Sequence, residues 1–209
     1  MSLYRVAFVF VISTLALLTK AKGFTLSGAR SSFLASSTTL ALSATSSEAM
    51  PEVKVGDELP SIVLKEGQAD YEKPVDVNLK DLIAGKKVAI FAVPGAFTPG
   101  CSKSHLPSFI TAQDDLKAKG IDMTICIATN DGYVMEAWGR TSGGADAGIR
   151  FLSDSDAALT KALGLTMETP NGIRTKRFSL IADDGKVTHY FSSAEESSNT
   201  WAPSVLSSL

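Results

Sequence analysis

The chain has few residues of the kinds that build metal sites and disulfide scaffolds. Its 209 residues include two cysteines, Cys101 and Cys126, and two histidines, His105 and His189. These four residues are too few, and too unevenly spaced, for a structural zinc site or a disulfide-rich fold. The sequence also lacks a glycine-rich phosphate loop and a dinucleotide-binding fingerprint. It therefore predicts neither a metal ion nor an organic cofactor.

The chain also lacks an excess of basic residues. It has 20 Lys and Arg residues against 22 Asp and Glu residues. Four of the basic residues lie before residue 50, together with a single acidic residue, Glu48, so the rest of the chain is more acidic than the whole. Because sequence-independent nucleic-acid binding depends on basic charge, this function is excluded.

The most apolar run is too short to cross a bilayer comfortably. Residues 6–18 form a run of 13 residues without a charge, whereas a membrane-spanning helix needs about 20. A short basic start precedes this run, and Ala21 and Gly23 follow at the two positions that a signal peptidase reads. The pattern predicts a signal peptide over residues 1–23, cleaved before Phe24.

Residues 24–49 have the composition of an organelle transit peptide. Serine and threonine make up 12 of these 26 residues, and Glu48 is the first acidic residue of the chain. Transit peptides share this Ser-rich, acid-poor character. A disordered linker behind a membrane anchor is the alternative interpretation. The folded part is expected at residues 50–209, a length that suits one domain with a hydrophobic core and no membrane contact in the mature form.

Apolar runs and turn residues predict an α/β domain. The short apolar runs at residues 88–93 and 123–128 are typical of strands buried on both faces. Asp183-Asp184-Gly185 separates two further runs and predicts a hairpin. Strands alternating with helices, followed by a hairpin and a helix, indicate a central mixed sheet flanked by helices. The other predicted elements are helices from Thr98 to near Gly120, with a bend at Pro107, and over 131–138, 156–163 and 203–209, and strands over 149–152, 177–182 and 186–191.

One cysteine lies where physical chemistry makes a thiol reactive. Cys101 follows the first buried strand by a short loop, which Pro94 stiffens, and falls in the first turn of a helix that Thr98 caps and Pro99 begins. The N–H groups and the partial positive charge of a helix start stabilise a thiolate. Cysteines so placed have pKa values of roughly 3.5–7.5 instead of about 8.5. A buried structural cysteine is the alternative, but the turn residues favour a reactive thiol.

The segment around this cysteine resembles a known family. PGAFTPGCSKSHLP (residues 94–107) is similar to the active-site signature of type II peroxiredoxins, the thiol peroxidases that include peroxiredoxin-5 and its plant relatives. The resemblance continues in register through KAKG (117–120), the ND of IATND (127–131), EAWGR (136–140) and TKRFSLIADDGKV (175–187), and covers roughly residues 51–209. It implies a thioredoxin-like fold and an enzyme that reduces hydrogen peroxide and alkyl hydroperoxides.

The resemblance also assigns catalytic roles. It implies that the Cys101 thiolate attacks one peroxide oxygen and becomes a sulfenic acid, and that Pro94, Thr98 and Arg177 complete the catalytic set. Thr98, Arg177 and the backbone N–H groups of Gly100 and Cys101 would hold the peroxide and stabilise charge on the leaving oxygen. Without the resemblance, the sequence favours Arg177 as a surface charge on an edge strand.

Three other functions of Cys101 compete with a peroxidase. A Cys–His hydrolase would use His105, one helical turn away, as its base, but the sequence offers no third group to orient that histidine. A thioredoxin-like disulfide exchanger needs a second cysteine at position 104, which is Ser104. A non-enzymatic redox sensor or chaperone would carry the same reactive site, and a turnover assay separates it from a peroxidase.

Two routes for reducing the sulfenic acid stay open. Some members of the family use a C-terminal cysteine shortly before an Ala-Pro pair, but here no cysteine precedes Ala202-Pro203. Others use a cysteine 25 residues after the first, which is the position of Cys126. Cys126 is therefore the candidate resolving residue, although it falls in mid-strand, where a buried cysteine often serves as a small hydrophobe. The alternative is an external thiol.

The leader and the resemblance together predict a location and partners. A signal peptide followed by a Ser/Thr-rich segment that starts at Phe24 resembles the bipartite presequences of algae with secondary plastids. This implies a plastid protein, with secretion as the alternative. In a plastid, thioredoxin or glutathione with glutaredoxin would supply the electrons. Members of the family often form homodimers, so a homodimer is a candidate assembly.

Overall fold

A computed structural model of the chain describes residues 50–209. The predicted signal peptide (1–23) and the Ser/Thr-rich segment (24–49) lie outside the described residues. Within residues 50–209, no helix is long and apolar enough to cross a membrane.

The strands are β1 (Val63–Glu66), β2 (Val75–Asn78), β3 (Lys87–Ala92), β4 (Met123–Ala128), β5 (Ile149–Ser153), β6 (Thr166–Thr169), β7 (Gly172–Thr175), β8 (Phe178–Asp183) and β9 (Lys186–Ser192). The α-helices are α1 (Leu79–Ile83), α2 (Leu106–Thr111), α3 (Gln113–Ala118), α4 (Gly132–Thr141), α5 (Ala158–Ala162) and α6 (Ala202–Ser208), with 3₁₀ turns at Ala69–Tyr71 and Ser197–Thr200 and a π-helical turn at Cys101–His105.

Seven strands form one mixed sheet, in the order β2-β1-β5-β4-β3-β8-β9. β5, β4 and β3 are parallel, whereas β2, β1, β8 and β9 pair with their neighbours in antiparallel fashion. The hairpin of β6 and β7 forms a separate two-stranded sheet. The predicted α/β class and the central mixed sheet are therefore confirmed.

Both faces of the central sheet are covered, as the unbroken apolar runs predict. Along β3, Ala89 and Phe91 belong to one core layer and Val88 and Ile90 to the other, because successive side chains of a strand point to opposite faces. In the first layer the ring of Phe91 stacks on that of Phe109 in α2, with 4.1 Å between their centroids. This packing fixes α2, and the turn before it, against the centre of the sheet.

The helix that follows β3 is divided into pieces. It begins at Pro99, passes through the π-helical turn at Cys101–His105, and continues as α2 and α3 on either side of Ala112. The π-helical turn ends with a bond from the N–H of the next residue to the Cys101 carbonyl. Pro107 has no N–H to donate, and the wider turn directly before it accommodates this missing bond. The bend predicted at Pro107 stays a prediction, because α2 runs through this residue and the irregular turn lies directly before it. The sequence does not predict the break at Ala112.

The helix predicted over residues 156–163 is shorter in the structure. Ala157 has a left-handed conformation with φ of 57°, so α5 begins only at the next residue. The carboxylate of the buried Asp154 accepts hydrogen bonds from two backbone N–H groups in the first turn of α5. The start of this helix is therefore capped from the end of β5.

The hairpin predicted around Asp183-Asp184-Gly185 is present. Asp183 pairs with Lys186, and the two residues between them have positive φ angles of 46° and 80°, as tight hairpin turns of this length require. Its first strand begins at Phe178, so Arg177 lies one residue before β8 rather than inside the predicted strand. Arg177 therefore lies at the end of the sheet where β3 ends, because Phe178 pairs with Ala92.

Candidate active site

Strand pairing brings Arg177 to the helix start that contains Cys101. β3 ends at Ala92, β8 begins at Phe178, and these two residues are antiparallel partners. Arg177 precedes Phe178 and therefore lies beside the loop that leaves β3. Its Nη2 atom donates a hydrogen bond to Cys101 Sγ over 3.1 Å. The structure thus joins two of the residues that the resemblance assigns to catalysis.

Cys101 is enclosed by protein, with a relative exposure of 1%. Its sulfur accepts a hydrogen bond from the guanidinium of Arg177 and lies in the first turn of a helix. An arginine stays charged at every relevant pH and presents a rigid set of N–H donors. The positive charge of the guanidinium and the positive end of the helix are therefore both close to this sulfur.

The loop between β3 and Cys101 is held by side-chain hydrogen bonds. The backbone N–H of Ala96 donates to Asn130 Oδ1 over 2.9 Å, which connects this loop to the end of β4. Phe97 has a left-handed backbone with φ of 60° and is 57% exposed, a conformation that is unfavourable for a bulky residue. Pro94, at the start of the loop, is half-buried. The loop is therefore fixed in a conformation that its own residues do not favour.

Thr98 lies three residues before Cys101, but it does not cap the helix as predicted. Its Oγ1 donates to the carbonyl of Gly95 over 2.8 Å instead of accepting from a backbone N–H of the first turn. The hydroxyl proton is therefore engaged, and the oxygen lone pairs stay available to accept a hydrogen bond from a substrate.

Gly100 leaves room for the guanidinium. A Cβ atom at this position would lie 3.4 Å from Arg177 Nη2, at the limit of ordinary van der Waals contact. A side chain larger than that of alanine would therefore extend toward the group that contacts Cys101. The glycine is expected to keep the helix start and the arginine close together.

The partners of His105 could not be predicted from the sequence, which indicates only a supporting residue near the helix start. It is fully buried, its Nδ1 lies 2.9 Å from Arg177 Nη1, and its Nε2 lies 2.9 Å from the carbonyl oxygen of Thr200. Burial, and next the nearby charge of Arg177, lower the pKa of His105 to about 3. Both ring nitrogens are thus engaged away from Cys101, which argues against a Cys–His hydrolase.

Cys126 lies in the same core layer as Cys101. It stands in the middle of β4, opposite Phe91 of β3 and Phe151 of β5, and has no exposed surface. Burial, together with the nearby Cys101, raises the pKa of the Cys126 thiol well above its ordinary value. Both cysteines are free thiols in the structure, so Cys126 is a protonated thiol enclosed in the sheet.

A further contact supports the segment that carries Cys101. The indole N–H of Trp138 in α4 donates to Ser102 Oγ over 3.1 Å. In the sequence, this tryptophan is marked only by its place in the EAWGR block (136–140), which resembles the family.

Within residues 50–209, no group of three or more His, Cys, Asp or Glu side chains is arranged to hold a metal ion.

Comparison of the sequence with known proteins gives consistent matches. The model of the Redoxin family matches residues 54–205. The chain is 44% identical over 145 residues to the chloroplastic peroxiredoxin-2E-2 of Oryza sativa subsp. japonica, a match that covers 65% of this chain and 62% of the rice protein. It is 46% identical over 143 residues to peroxiredoxin-2C of the same plant, which covers 66% of this chain and 86% of that protein. The chain thus spans less than two thirds of the length of the first of these relatives.

Solved structures resemble the fold described above. The reduced Prx3 of Vibrio vulnificus in complex with H₂O₂ has a TM-score of 0.69 and 41% identity, over 75% of this chain and 98% of that one. Peroxiredoxin 5 of Alvinella pompejana has a TM-score of 0.64 and 30% identity, over 75% of this chain and 97% of that one. The thioredoxin-like fold implied by the sequence is thereby confirmed.

Proposed function

Since this chain belongs to the peroxiredoxins, the thiol-dependent peroxidases of the Redoxin family, we propose that Cys101 is the residue that attacks the peroxide. The observation that carries this assignment is the 3.1 Å contact between Arg177 Nη2 and Cys101 Sγ at a helix start. Cys126, the other thiol of the chain, is enclosed in mid-strand without such a donor. Of the two cysteines, Cys101 is therefore the one placed for the first attack.

The first chemical step is a displacement at oxygen. The Cys101 thiolate, whose proton has gone to solvent, attacks one oxygen of hydrogen peroxide or an alkyl hydroperoxide. The S–O bond forms as the O–O bond breaks, and the leaving oxygen takes a proton from solvent to depart as water or an alcohol. Arg177 and the backbone N–H groups of Gly100 and Cys101 stabilise the charge that grows on the oxygens. Thr98 Oγ1 accepts from the peroxide O–H, and Pro94 shields the site from bulk water.

The second step favours an external thiol over Cys126. Cys126 is held on both sides by backbone pairing with β3 and β5, and its protonated form is a poor nucleophile. An external thiol attacks the sulfenic sulfur of Cys101, forms a mixed disulfide and releases water. A second external thiol then releases reduced Cys101 as it forms a disulfide with the first. Glutathione with glutaredoxin fits this chemistry, and thioredoxin is the competing donor, for which Cys126 would supply the resolving sulfur.

Access to Cys101 requires the first helical turn to open. Cys101 is 1% exposed, so neither a glutathione molecule nor a protein thiol reaches its sulfur in the closed state. The turn at Cys101–His105 is π-helical and precedes a proline, so part of its backbone bonding is already absent. This turn is therefore expected to unwind locally while α2 stays packed on the sheet.

The composition of the leader and the names of two relatives support a plastid location. Two of the similar plant proteins are named chloroplastic, and the leader composition is that of a signal peptide (1–23) followed by a transit-like segment (24–49). We therefore propose a plastid protein, and secretion is the alternative. Mass spectrometry of the N-terminus of protein from its native cell distinguishes the two.

We also propose that the protein forms a homodimer, as members of the family often do. Sedimentation measurements test this assembly.

The assignment of Cys101 is tested by trapping the first oxidation product. Reduced protein is treated with one equivalent of hydrogen peroxide in the presence of dimedone, which reacts with sulfenic acids, and the peptides are mapped by mass spectrometry. The adduct is expected on Cys101. An adduct on Cys126 alone would contradict the assignment.

A further inference from the structure

Arg177 is oriented in this structure by a neutral side chain. Its Nη1 atom lies 2.9 Å from His105 Nδ1, while Nη2 donates to Cys101 Sγ. None of the ion pairs formed among residues 50–209 includes Arg177. Because the arginine N–H must donate, Nδ1 of His105 must be the unprotonated ring nitrogen. The guanidinium is thus held in place without a carboxylate.

The other side of the imidazole is fixed as well. Nε2 lies 2.9 Å from the Thr200 carbonyl, and this carbonyl also accepts a hydrogen bond from Ser179 Oγ. A carbonyl only accepts, so Nε2 carries the proton. The ring packs against both Phe91 and Phe109, with centroid distances of 5.1 and 5.6 Å. One tautomer in one orientation therefore satisfies every contact of this buried ring.

From this arrangement we propose that His105 is a positioning residue, which holds Arg177 against the Cys101 sulfur without neutralising the charge of the guanidinium. The Thr200 carbonyl, in the turn before α6, sets the tautomer that makes this possible. A continuous line of hydrogen bonds thus runs from the C-terminal segment through His105 and Arg177 to the reactive sulfur. This inference rests on the proposed role of Cys101 and adds a residue that acts on Cys101 through Arg177.

The physical reason for a neutral partner is electrostatic. A carboxylate would orient the guanidinium equally well, but its charge would cancel much of the positive potential at the sulfur in this enclosed site. A neutral imidazole accepts the hydrogen bond and leaves that potential in place. The low pKa of His105, about 3, keeps the ring neutral in the physiological range. Burial and the charge of Arg177 therefore maintain the state that the arrangement needs.

The tautomer is tested on the unmodified protein by NMR. The chain has two histidines, so ¹⁵N-labelled imidazole signals are assigned by comparison with a His189→Gln variant. We expect His105 to be neutral with its proton on Nε2 from pH 7 to pH 5. A proton on Nδ1, or a charged imidazolium at pH 6, would overturn the proposal even if no variant of this residue folds.

The positioning role is tested with three variants. His105→Gln keeps a neutral acceptor, His105→Leu removes it, and His105→Glu replaces it with a charged one. The first should react with peroxide within about threefold of the wild-type rate, and the second at least about tenfold more slowly, because a misplaced Arg177 no longer stabilises the transition state. The third should raise the pH at which iodoacetamide alkylates Cys101 at half its maximal rate.

Wild-type rates and an unchanged alkylation profile in folded His105→Leu protein would overturn the proposal. So would an alkylation profile of folded His105→Glu protein that matches the wild type. Circular dichroism and thermal unfolding identify the variants that fold. The NMR and alkylation measurements do not depend on peroxidase turnover. If the peroxidase assignment fails, they therefore still test the role of His105, and the two failures can be distinguished.

Discussion

Phe178 lies opposite Ala92 in the antiparallel pair of β8 and β3, and this single register places Arg177 beside Cys101. A shift of one residue would turn the arginine to the other face of the sheet, because side chains alternate along a strand. The site therefore depends on a pairing between distant parts of the chain.

The first prediction concerns the guanidinium. Arg177→Lys keeps the charge but loses the planar set of donors that reaches both Cys101 and His105, so the rate of sulfenic acid formation should fall by about tenfold or more. Stopped-flow measurement with hydrogen peroxide gives this rate. Arg140→Lys, at an exposed arginine paired with Glu136 in α4, is the matched control and should react like the wild type. An unchanged rate in the Arg177 variant would mean that its contact with the sulfur has no catalytic role.

The second prediction concerns the buried thiol. Cys126→Ser should remain active with glutathione and glutaredoxin, and mapping of the singly oxidised wild type should find a glutathione adduct on Cys101 and no internal disulfide. The variant should also be less stable by about 1–3 kcal/mol, because it buries a hydroxyl in a place that suits a thiol. An intramolecular Cys101–Cys126 disulfide, with loss of thioredoxin-supported turnover in the variant, would instead make Cys126 the resolving residue.

The third prediction concerns stability at acidic pH. The pKa of His105 is about 3 in the folded protein, against an ordinary value of about 6.5. Below pH 6.5 the unfolded chain therefore binds more protons than the folded one, and the free energy of unfolding falls as the pH drops toward 3, by up to about 1.4 kcal/mol per unit. Urea unfolding of the wild type and of His105→Gln should diverge in this window. Equal pH dependence in the two proteins would show that His105 does not contribute, and His189→Gln is the control.

The fourth prediction concerns the start of the folded domain, expected at residue 50. The Glu52 carboxylate accepts hydrogen bonds from the Tyr190 hydroxyl at 2.6 Å and from Lys176 Nζ at 3.1 Å, and Val53 is buried with its N–H bonded to the Leu163 carbonyl. A chain that begins at residue 54 should therefore be less stable than one that begins at Met50 by about 2–4 kcal/mol. Chemical denaturation of the two chains measures the difference. Equal stability would place the start of the domain further along the chain.

The local pattern of apolar residues predicts the central strands of the fold because these strands are buried on both faces. The runs that became β3 and β4 are apolar throughout, and the β8–β9 turn contains the residues that tight hairpins need. The hairpins of β1 with β2 and of β6 with β7 are absent from the prediction, since their four-residue strands are partly exposed and carry no apolar run. The Pro170-Asn171-Gly172 sequence is the one local signal that indicates the second of these turns.

The residues of the candidate site also differ in how far the local sequence predicts their positions. The position of Cys101 follows from local physics, because a strand, a turn and a helix start are all readable in the adjacent sequence. Arg177 enters through the family resemblance alone, since its place is set by the register of two strands that lie far apart in the chain. For His105 the sequence shows its position in the helix but not its partners, which come from Arg177 and from the C-terminal turn at Thr200.

Turnover of peroxide through Cys101 is tested most directly by steady-state reduction of hydrogen peroxide with glutathione and glutaredoxin. Cys101→Ser should fold normally and lose turnover, while Cys126→Ser, the matched change at the other cysteine, should keep it. This comparison also separates an enzyme from a redox sensor, because a sensor would be oxidised once without catalytic turnover in the wild type. Turnover that persists in Cys101→Ser, or that is absent from the wild type with both glutathione–glutaredoxin and thioredoxin as donors, would contradict the account.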